Sequence, residues 1–265
     1  IVVTPFIKWI LDTQGIRNGS PWLALIWFCG TVPVTLLLLR AFPQPYGWLP
    51  DGARAAPGEI ANISGTPLAE AVRSRFYKAV TFGYIFALGA QVGGALQLVK
   101  LVEERTDRST ATLATIVLST MSILSRFAAG RIIPKINMTR FTVGLAGLQG
   151  ISLASLGLIN NRIGLLIAIG LFGVTIGNMV MMQSLLLAER FGVRDYPKIA
   201  ARSGLISFSG TALGPLLLGW LYDVAGGYRS SYLAAGACSI IGAILFSFAG
   251  SASVASTEVA SAQSQ

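Results

Sequence analysis

The sequence predicts an all-α membrane protein, a polytopic bundle of about seven complete transmembrane helices and one partial helix. Hydrophobic residues make up 53% of the 265 residues and charged residues only 12%, whereas soluble domains carry about 25% charged residues. The apolar residues form runs of about 20, the length that crosses a bilayer core as a helix. Most charges lie in short breaks between these runs. The composition and the spacing of the apolar runs therefore both predict a membrane protein.

The apolar runs can be placed one after another. They cover residues 21–40, 76–99, 110–129, 141–159, 163–187, 203–222 and 230–249. Ser20 and Pro21 are typical of a helix start, as a capping residue and a proline at the first helical position. Residues 1–11 are apolar but too short to span, and we expect them to be the end of an eighth span that begins before Ile1.

The connection 41–75 stands out because it is long and holds five of the eleven prolines. Such a segment among short loops predicts a linker between two bundles. We therefore divide the chain into a remnant of an N-terminal bundle (1–40), the linker (41–75), a six-helix bundle (76–250) and a tail (251–265). The tail is rich in serine and alanine, which predicts disorder.

Lys and Arg are distributed unequally between alternate loops, which predicts the topology. Thirteen lie on the side of the 41–75 linker and seven on the other, out of twenty. The linker, the 130–140 loop, the 190–202 loop and the tail are therefore expected in the cytoplasm, in a protein of the plasma or cell membrane.

Several classes of function are disfavoured by composition. The chain has no histidine, which excludes catalytic triads and histidine-ligated zinc or haem. Cys29 and Cys238 both lie in apolar runs, so we expect small residues within the membrane rather than a disulfide or a metal site. The net charge of +9 is scattered rather than gathered in a stripe, which disfavours nucleic acid. We expect no cofactor, no metal and no enzymatic activity.

Residues 204–232 contain the most informative pattern. Gly210, Gly214 and Gly219 follow a small-residue spacing, with Pro215 after the second glycine and Asp223 near the end. Small residues allow transmembrane helices to approach closely. We expect this helix to pack tightly, to bend near its middle and to break at Tyr222. The stretch resembles the eleventh and twelfth spans of the major facilitator superfamily, whose pattern is G-x-x-x-G-P-x-x-x-G-x-x-x-D-x-x-G-x-Y.

A second motif, SILSRFAAGRIIPKINMTR at 122–140, resembles the loop between the eighth and ninth spans of that superfamily. The resemblance implies that Gly130 and Arg131 belong to an inner gate. The acidic residue of the family motif is replaced by Pro134, so this copy lacks the carboxylate of the gate. The basic residues could instead anchor the loop at the anionic cytoplasmic leaflet.

Three further segments, TPFIKWILDTQGIR, LSRFAAG and AERFGVRDYPKIAARSGLISF, resemble the monocarboxylate-porter and oxalate–formate-antiporter branch. The resemblance implies that Arg126 binds a substrate carboxylate. The aspartate that usually precedes this arginine by one turn is replaced by Ser122. Alternatively, Arg126 lies near enough to the cytoplasmic end to extend to the lipid headgroups.

Polar residues inside the spans either bond neighbouring helices or line a cavity. The candidates for substrate contact, besides Arg126 and Ser122, are Gln91, Gln97, Asn178, Gln183 and Ser207. No Asp or Glu lies in the middle of a span, so proton coupling is not expected from this part of the chain.

The sequence predicts secondary or facilitated transport of a small solute, an organic anion such as a monocarboxylate, by alternating access against an N-terminal bundle of the same full-length chain. Its partners would be that solute and the lipid bilayer. Two alternatives remain: a receptor or structural protein on the same fold, and a membrane-embedded enzyme.

Overall fold

The computed structural model describes residues 3–38 and 65–252. Within these ranges the protein is helical, without strands, and seven helices are long and apolar enough to cross a membrane. The prediction of an all-α protein with seven helices of membrane-spanning length is confirmed. The chain divides into two compact units, residues 1–62 and 63–265. The proposed linker 41–75 lies outside the described residues up to residue 64, and so does the tail beyond residue 252.

The first unit contains α1, Val3–Leu38, which is interrupted at Gly15 with φ 70° and ψ 168°. Its membrane-length part is Arg17–Leu36. The predicted helix start at Ser20 and Pro21 was wrong, because the helix continues through Pro21 and the break is at Gly15. Glycine adopts this positive φ without steric cost.

The second unit begins with a short helix, α2 (Leu68–Ala71), and continues with six long helices. These are α3 (Arg75–Arg105), α4 (Arg108–Ile132), α5 (Met138–Leu158), α6 (Arg162–Phe191), α7 (Tyr196–Ala225) and α8 (Tyr228–Ser247). A single 3₁₀ turn, Ile133–Lys135, joins α4 to α5.

Side-chain caps fix where four of these helices begin. Ser74, Asp107, Asn137 and Asn161 each accept a hydrogen bond from the backbone N–H three residues later. Hydrogen bonds from Ser109 and Thr110 also hold the pKa of Asp107 below its usual range, because they favour the charged carboxylate. α7 ends where Gly226 turns left-handed, at φ 68° and ψ 32°. The predicted break at Tyr222 was therefore three residues too early.

The six long helices form two sets of three whose principal pairings are equivalent. α3 packs against α7 and α8, α6 packs against α4 and α5, and α5 packs against α8. Exchanging α3–α5 with α6–α8 reproduces each of these pairings. The contact of α7 with α8 has no counterpart of similar extent between α4 and α5. Since a set contains three membrane-length helices, an odd number, the second set would cross a bilayer in the opposite direction.

Glycines mark the two equivalent closest approaches. Gly89 and Gly93 of α3 face Gly210 and Gly214 of α7, and a Cβ on Gly214 would overlap the carbonyl oxygen of Gly89. In the other set, a Cβ on Gly173 of α6 would lie 2.7 Å from the carbonyl oxygen of Leu118. The helices that pack against these glycines of α3 and α6 are α7 and α4, respectively. They are the least buried of the six long helices.

Candidate functional site

Arg126 lies at the contact between α4 and α6. Its Nε donates a hydrogen bond of 2.8 Å to the carbonyl oxygen of Gly177. Gly177 is required there, since a Cβ would overlap the carbonyl oxygen of Ser122. Among the described residues, the two Nη groups of Arg126 have no hydrogen-bond partner. Arg126 also forms no ion pair there, since the only ion pair among these residues joins Lys198 to Asp195. Arg126 therefore has donors that remain available to an anion.

The position of Arg126 along its own helix differs from that of its hydrogen-bond partner along α6. Arg126 lies six residues before the end of α4, Arg108–Ile132, whereas Gly177 lies about half-way along the thirty residues of α6, Arg162–Phe191. The side chain of Arg126 is exposed in the six-helix bundle. Both interpretations of Arg126, contact with a solute and extension to the lipid headgroups, therefore stay predictions.

Ser125 and Asn178 lie beside this arginine. Asn178 Nδ2 donates to Ser125 Oγ (3.1 Å) and to the carbonyl oxygen of Val174 (2.9 Å). The backbone acceptor fixes the orientation of the amide, so the other carboxamide atom is the oxygen. That oxygen is buried and has no partner among the described residues. The Nη donors of Arg126 are thus free, and the unpaired acceptor of Asn178 lies buried in the same region.

A second polar cluster joins α3, α6 and α7. Gln183 Nε2 donates to Ser203 Oγ (3.2 Å) and Ser207 Oγ (2.9 Å). Ser203 Oγ lies 2.8 Å from Thr81 Oγ1, and Ser207 donates to the carbonyl oxygen of Thr81. All four side chains are buried. The serines and Gln183 therefore bond helices to each other, and their contact with a substrate remains a prediction.

A third cluster joins α3, α5 and α8. Gln91 Nε2 donates to Gln149 Oε1 (3.1 Å), and Gln149 Nε2 donates to Ser239 Oγ (3.0 Å) and the carbonyl oxygen of Ala87. The sequence analysis did not include Gln149, Ser239 or Thr81. Gln149 could have been found, since it is an amide in mid-span like the residues that were chosen.

The remaining candidates lie apart from these clusters. Gln97 Oε1 is buried without a partner among the described residues, and the nearest atom to a Cβ on Gly219 would be Gln97 Nε2, at 3.8 Å. Pro215 lies inside the continuous helix α7, and Asp223 is exposed near its end.

The two residues expected at the inner gate face open space. Gly130 and Arg131 are exposed, and a Cβ on Gly130 would meet no atom within 4 Å. Gly130 therefore does not serve helix packing within the six-helix bundle. Its role in a gate remains a prediction.

Comparison of the chain with protein-family models and with curated protein sequences found no match. No group of three or more His, Cys, Asp or Glu residues able to hold a metal ion occurs in residues 3–38 and 65–252. The resemblance to transporters therefore depends on the quoted motifs.

Proposed function

We propose that the protein transports a small organic anion across a membrane by alternating access, and that it is a major-facilitator-like transporter. The observation that carries this proposal is Arg126. It is a cation on an apolar helix that bonds Gly177, half-way along α6, and it has two Nη groups that no described residue occupies. Charged groups inside membrane spans are costly and commonly mark a solute path. A guanidinium presents paired donors that match a carboxylate.

The packing of the six long helices supports the same proposal. Two sets of three helices with equivalent pairings are the arrangement expected of inverted repeats, from which many secondary transporters are built. α4 and α7 are related by this exchange and are both poorly buried. Their exposed faces are where we expect a second bundle to pack and slide.

The mode of transport follows from the distribution of acids. Within residues 65–252, Asp and Glu lie in connections and near helix ends. A proton-coupled mechanism requires a titratable group in the path. We therefore propose exchange or facilitated transport by this bundle, with any coupling group in other spans.

Flux measurement tests the proposal. The full-length protein is reconstituted in liposomes and given labelled monocarboxylates, dicarboxylates and neutral solutes of the same size. We expect saturable uptake of at least one carboxylate and no uptake of the neutral solutes. Arg126→Ala should reduce that uptake at least tenfold, because a hydrogen bond to a charged group contributes about 1.5–3 kcal/mol.

Arg108→Ala is the matched control, because Arg108 is an exposed arginine at the opposite end of α4. We expect uptake by this variant to equal that of the wild type. Absence of carboxylate flux in well-folded liposomal protein would contradict the proposal and favour a receptor or structural role.

A further inference from the structure

Two cavities meet at Arg140, near the start of α5. One is mostly apolar, about 600 Å³, and lies open between α4, α5 and α6, with Ile132, Phe141, Gly144 and Leu148 among its lining residues. Ser125 and Asn178, which lie near Arg126, also line it. The other, about 380 Å³, is more polar and lies between the start of α5 and the end of α8. Arg140 lines both. The first offers space for a hydrocarbon chain and the second for a polar group.

The polar cavity contains hydrogen-bond donors without partners. Thr139 lines it, is only 6% exposed, and its Oγ1 has no hydrogen-bond partner among the described residues. At the start of α5, Asn137 accepts from the N–H of Arg140, while the N–H groups of Met138 and Thr139 make no hydrogen bond within that part of the chain. The first N–H groups of a helix and its dipole favour an anion.

The charged residues on the α4–α5 side of this cavity have one sign. No Asp or Glu occurs between Arg108 and Arg162, and Arg131, Lys135 and Arg140 lie within ten residues of one another. A hydroxyl, two backbone N–H groups and a guanidinium at one helix start match the oxygens of a phosphate group. A free phosphate ion would not occupy the adjoining apolar cavity. The presence of that cavity therefore favours a phosphate group that carries a hydrocarbon chain.

We propose that this pair of cavities binds one phospholipid of the leaflet on the Arg131–Arg140 side. The phosphate occupies the polar cavity against Arg140, the Thr139 hydroxyl and the start of α5. One acyl chain occupies the apolar cavity beside Gly144. A lipid with net negative charge and headgroup hydroxyls, such as phosphatidylglycerol, is preferred over phosphatidylcholine, because the surroundings are cationic.

Titration of the purified full chain with phosphatidylglycerol in neutral detergent, followed by native mass spectrometry, tests the headgroup contacts. We expect Arg140→Gln and Thr139→Val each to raise the apparent Kd about tenfold or more, the effect of losing a hydrogen bond to a charged group. Thr142→Val is the control for threonine, since the Thr142 hydroxyl already donates to the carbonyl oxygen of Met138 (2.9 Å). Arg131→Gln is the control for surface charge.

The acyl chain is tested with a glycine pair. A Cβ on Gly144 or on Gly147 would meet no atom within 4 Å, so either accepts a larger side chain. Only Gly144 lines the apolar cavity. Gly144→Leu should fill that cavity and raise the apparent Kd for the diacyl lipid about tenfold, whereas Gly147→Leu should leave it within twofold.

Competition identifies the source of the phosphate. Inorganic phosphate and glycerol 3-phosphate at millimolar concentration should not displace the lipid. Displacement by either, together with wild-type lipid binding in Gly144→Leu, would mean that the site takes a soluble phosphate and would overturn the proposal. Equal losses in Arg131→Gln and Arg140→Gln, or unchanged binding in Thr139→Val and Arg140→Gln, would overturn it as well. None of these outcomes depends on solute transport.

Discussion

Arg126 allows a sharper test than its removal, because lysine keeps the charge but loses the planar pair of donors. If the free Nη groups bind a carboxylate, Arg126→Lys should raise the KM for carboxylates about tenfold or more, since a bidentate contact is lost. If Arg126 only extends to headgroups, lysine should substitute with little loss, as it extends equally well. Initial uptake rates over a range of solute concentrations, normalised to the amount of membrane protein, distinguish the two.

Asp195 connects α2 to the start of α7. Its carboxylate accepts from the backbone N–H of Leu68 (3.1 Å) and from Lys198 Nζ (3.1 Å), and these contacts hold its pKa below the usual range. A depressed pKa means that the stabilisation is present above the unfolded pKa of about 3.9. It is lost as the pH falls through the lower pKa of the folded state.

We therefore expect amide exchange of residues 66–72, corrected for the intrinsic rate, to accelerate as the pH falls below about 4. Asp195→Asn should remove this pH dependence, because asparagine does not titrate in that range. Equal pH profiles in the two proteins would show that another group controls the docking of α2.

At this scale the sequence indicates residue types but not their partners. Gln183 and Asn178 are both mid-span amides, and nothing in their spacing distinguishes them. In the structure Gln183 bonds two serines of α7, whereas Asn178 keeps an unpaired oxygen. The difference arises from which helix faces each amide, a tertiary property. For the same reason, Thr139 could not be recognised as a buried hydroxyl without a partner.

Helix packing through glycine is the feature of the elements that is easiest to test. Gly214→Leu would place a side chain against the backbone of Gly89, which cannot move aside as a side chain could. We expect it to separate α3 from α7, to lower the stability by about 1–3 kcal/mol or more, and to reduce transport while membrane insertion continues. Thermal unfolding in detergent and solute flux are the measurements.

Gly204→Leu is the control in the same helix, because the nearest atom to its Cβ would be 3.8 Å away, in the ring of Phe208. Its thermal midpoint should remain close to that of the wild type. If Gly214→Leu were as stable as Gly204→Leu, this result would contradict the close contact between α3 and α7 at Gly214.

The extents of the elements were predictable within a few residues where an apolar run ends in a strong signal. Helix α6 was expected at 163–187 and occupies Arg162–Phe191, beginning after the cap Asn161. The ends were less well predicted where the helix leaves the bilayer. α7 begins at Tyr196, seven residues before its apolar run, because Asp195 and Pro197 start the helix in the polar loop. Hydropathy measures the membrane-embedded part of a helix, and a helix can be longer.

At the scale of the whole molecule, the apolar runs predicted the number of helices. The equivalent pairings of the two sets of three helices were visible only in the structure. The sequence analysis identified no internal repeat, and side chains that meet at equivalent contacts differ in type. A Cβ on Gly93 would lie 3.2 Å from Cδ2 of Leu218, whereas the carbonyl oxygen of the equivalent Gly177 accepts from Arg126. One site of the symmetric pair thus holds an apolar side chain and the other a cation. The two sets of helices thus share their principal pairings but differ chemically at this contact, where one has Leu218 and the other has Arg126.

The inverted relation of the two sets requires that successive connections alternate across the membrane, and this is open to measurement. Single cysteines are introduced at three exposed positions, Arg108, Lys135 and Arg194, in a chain that carries Cys29→Ala and Cys238→Ala. The charge bias predicts that Lys135 and Arg194 lie in the cytoplasm and Arg108 outside. An impermeant maleimide applied to intact cells should therefore label the cysteine at 108. It should reach those at 135 and 194 only after permeabilisation.

Labelling of 135 and 108 from the same side would contradict both the topology and the inverted repeat. Labelling of 135 and 194 alone from outside would keep the repeat and reverse the orientation, which would place the proposed phospholipid in the outer leaflet.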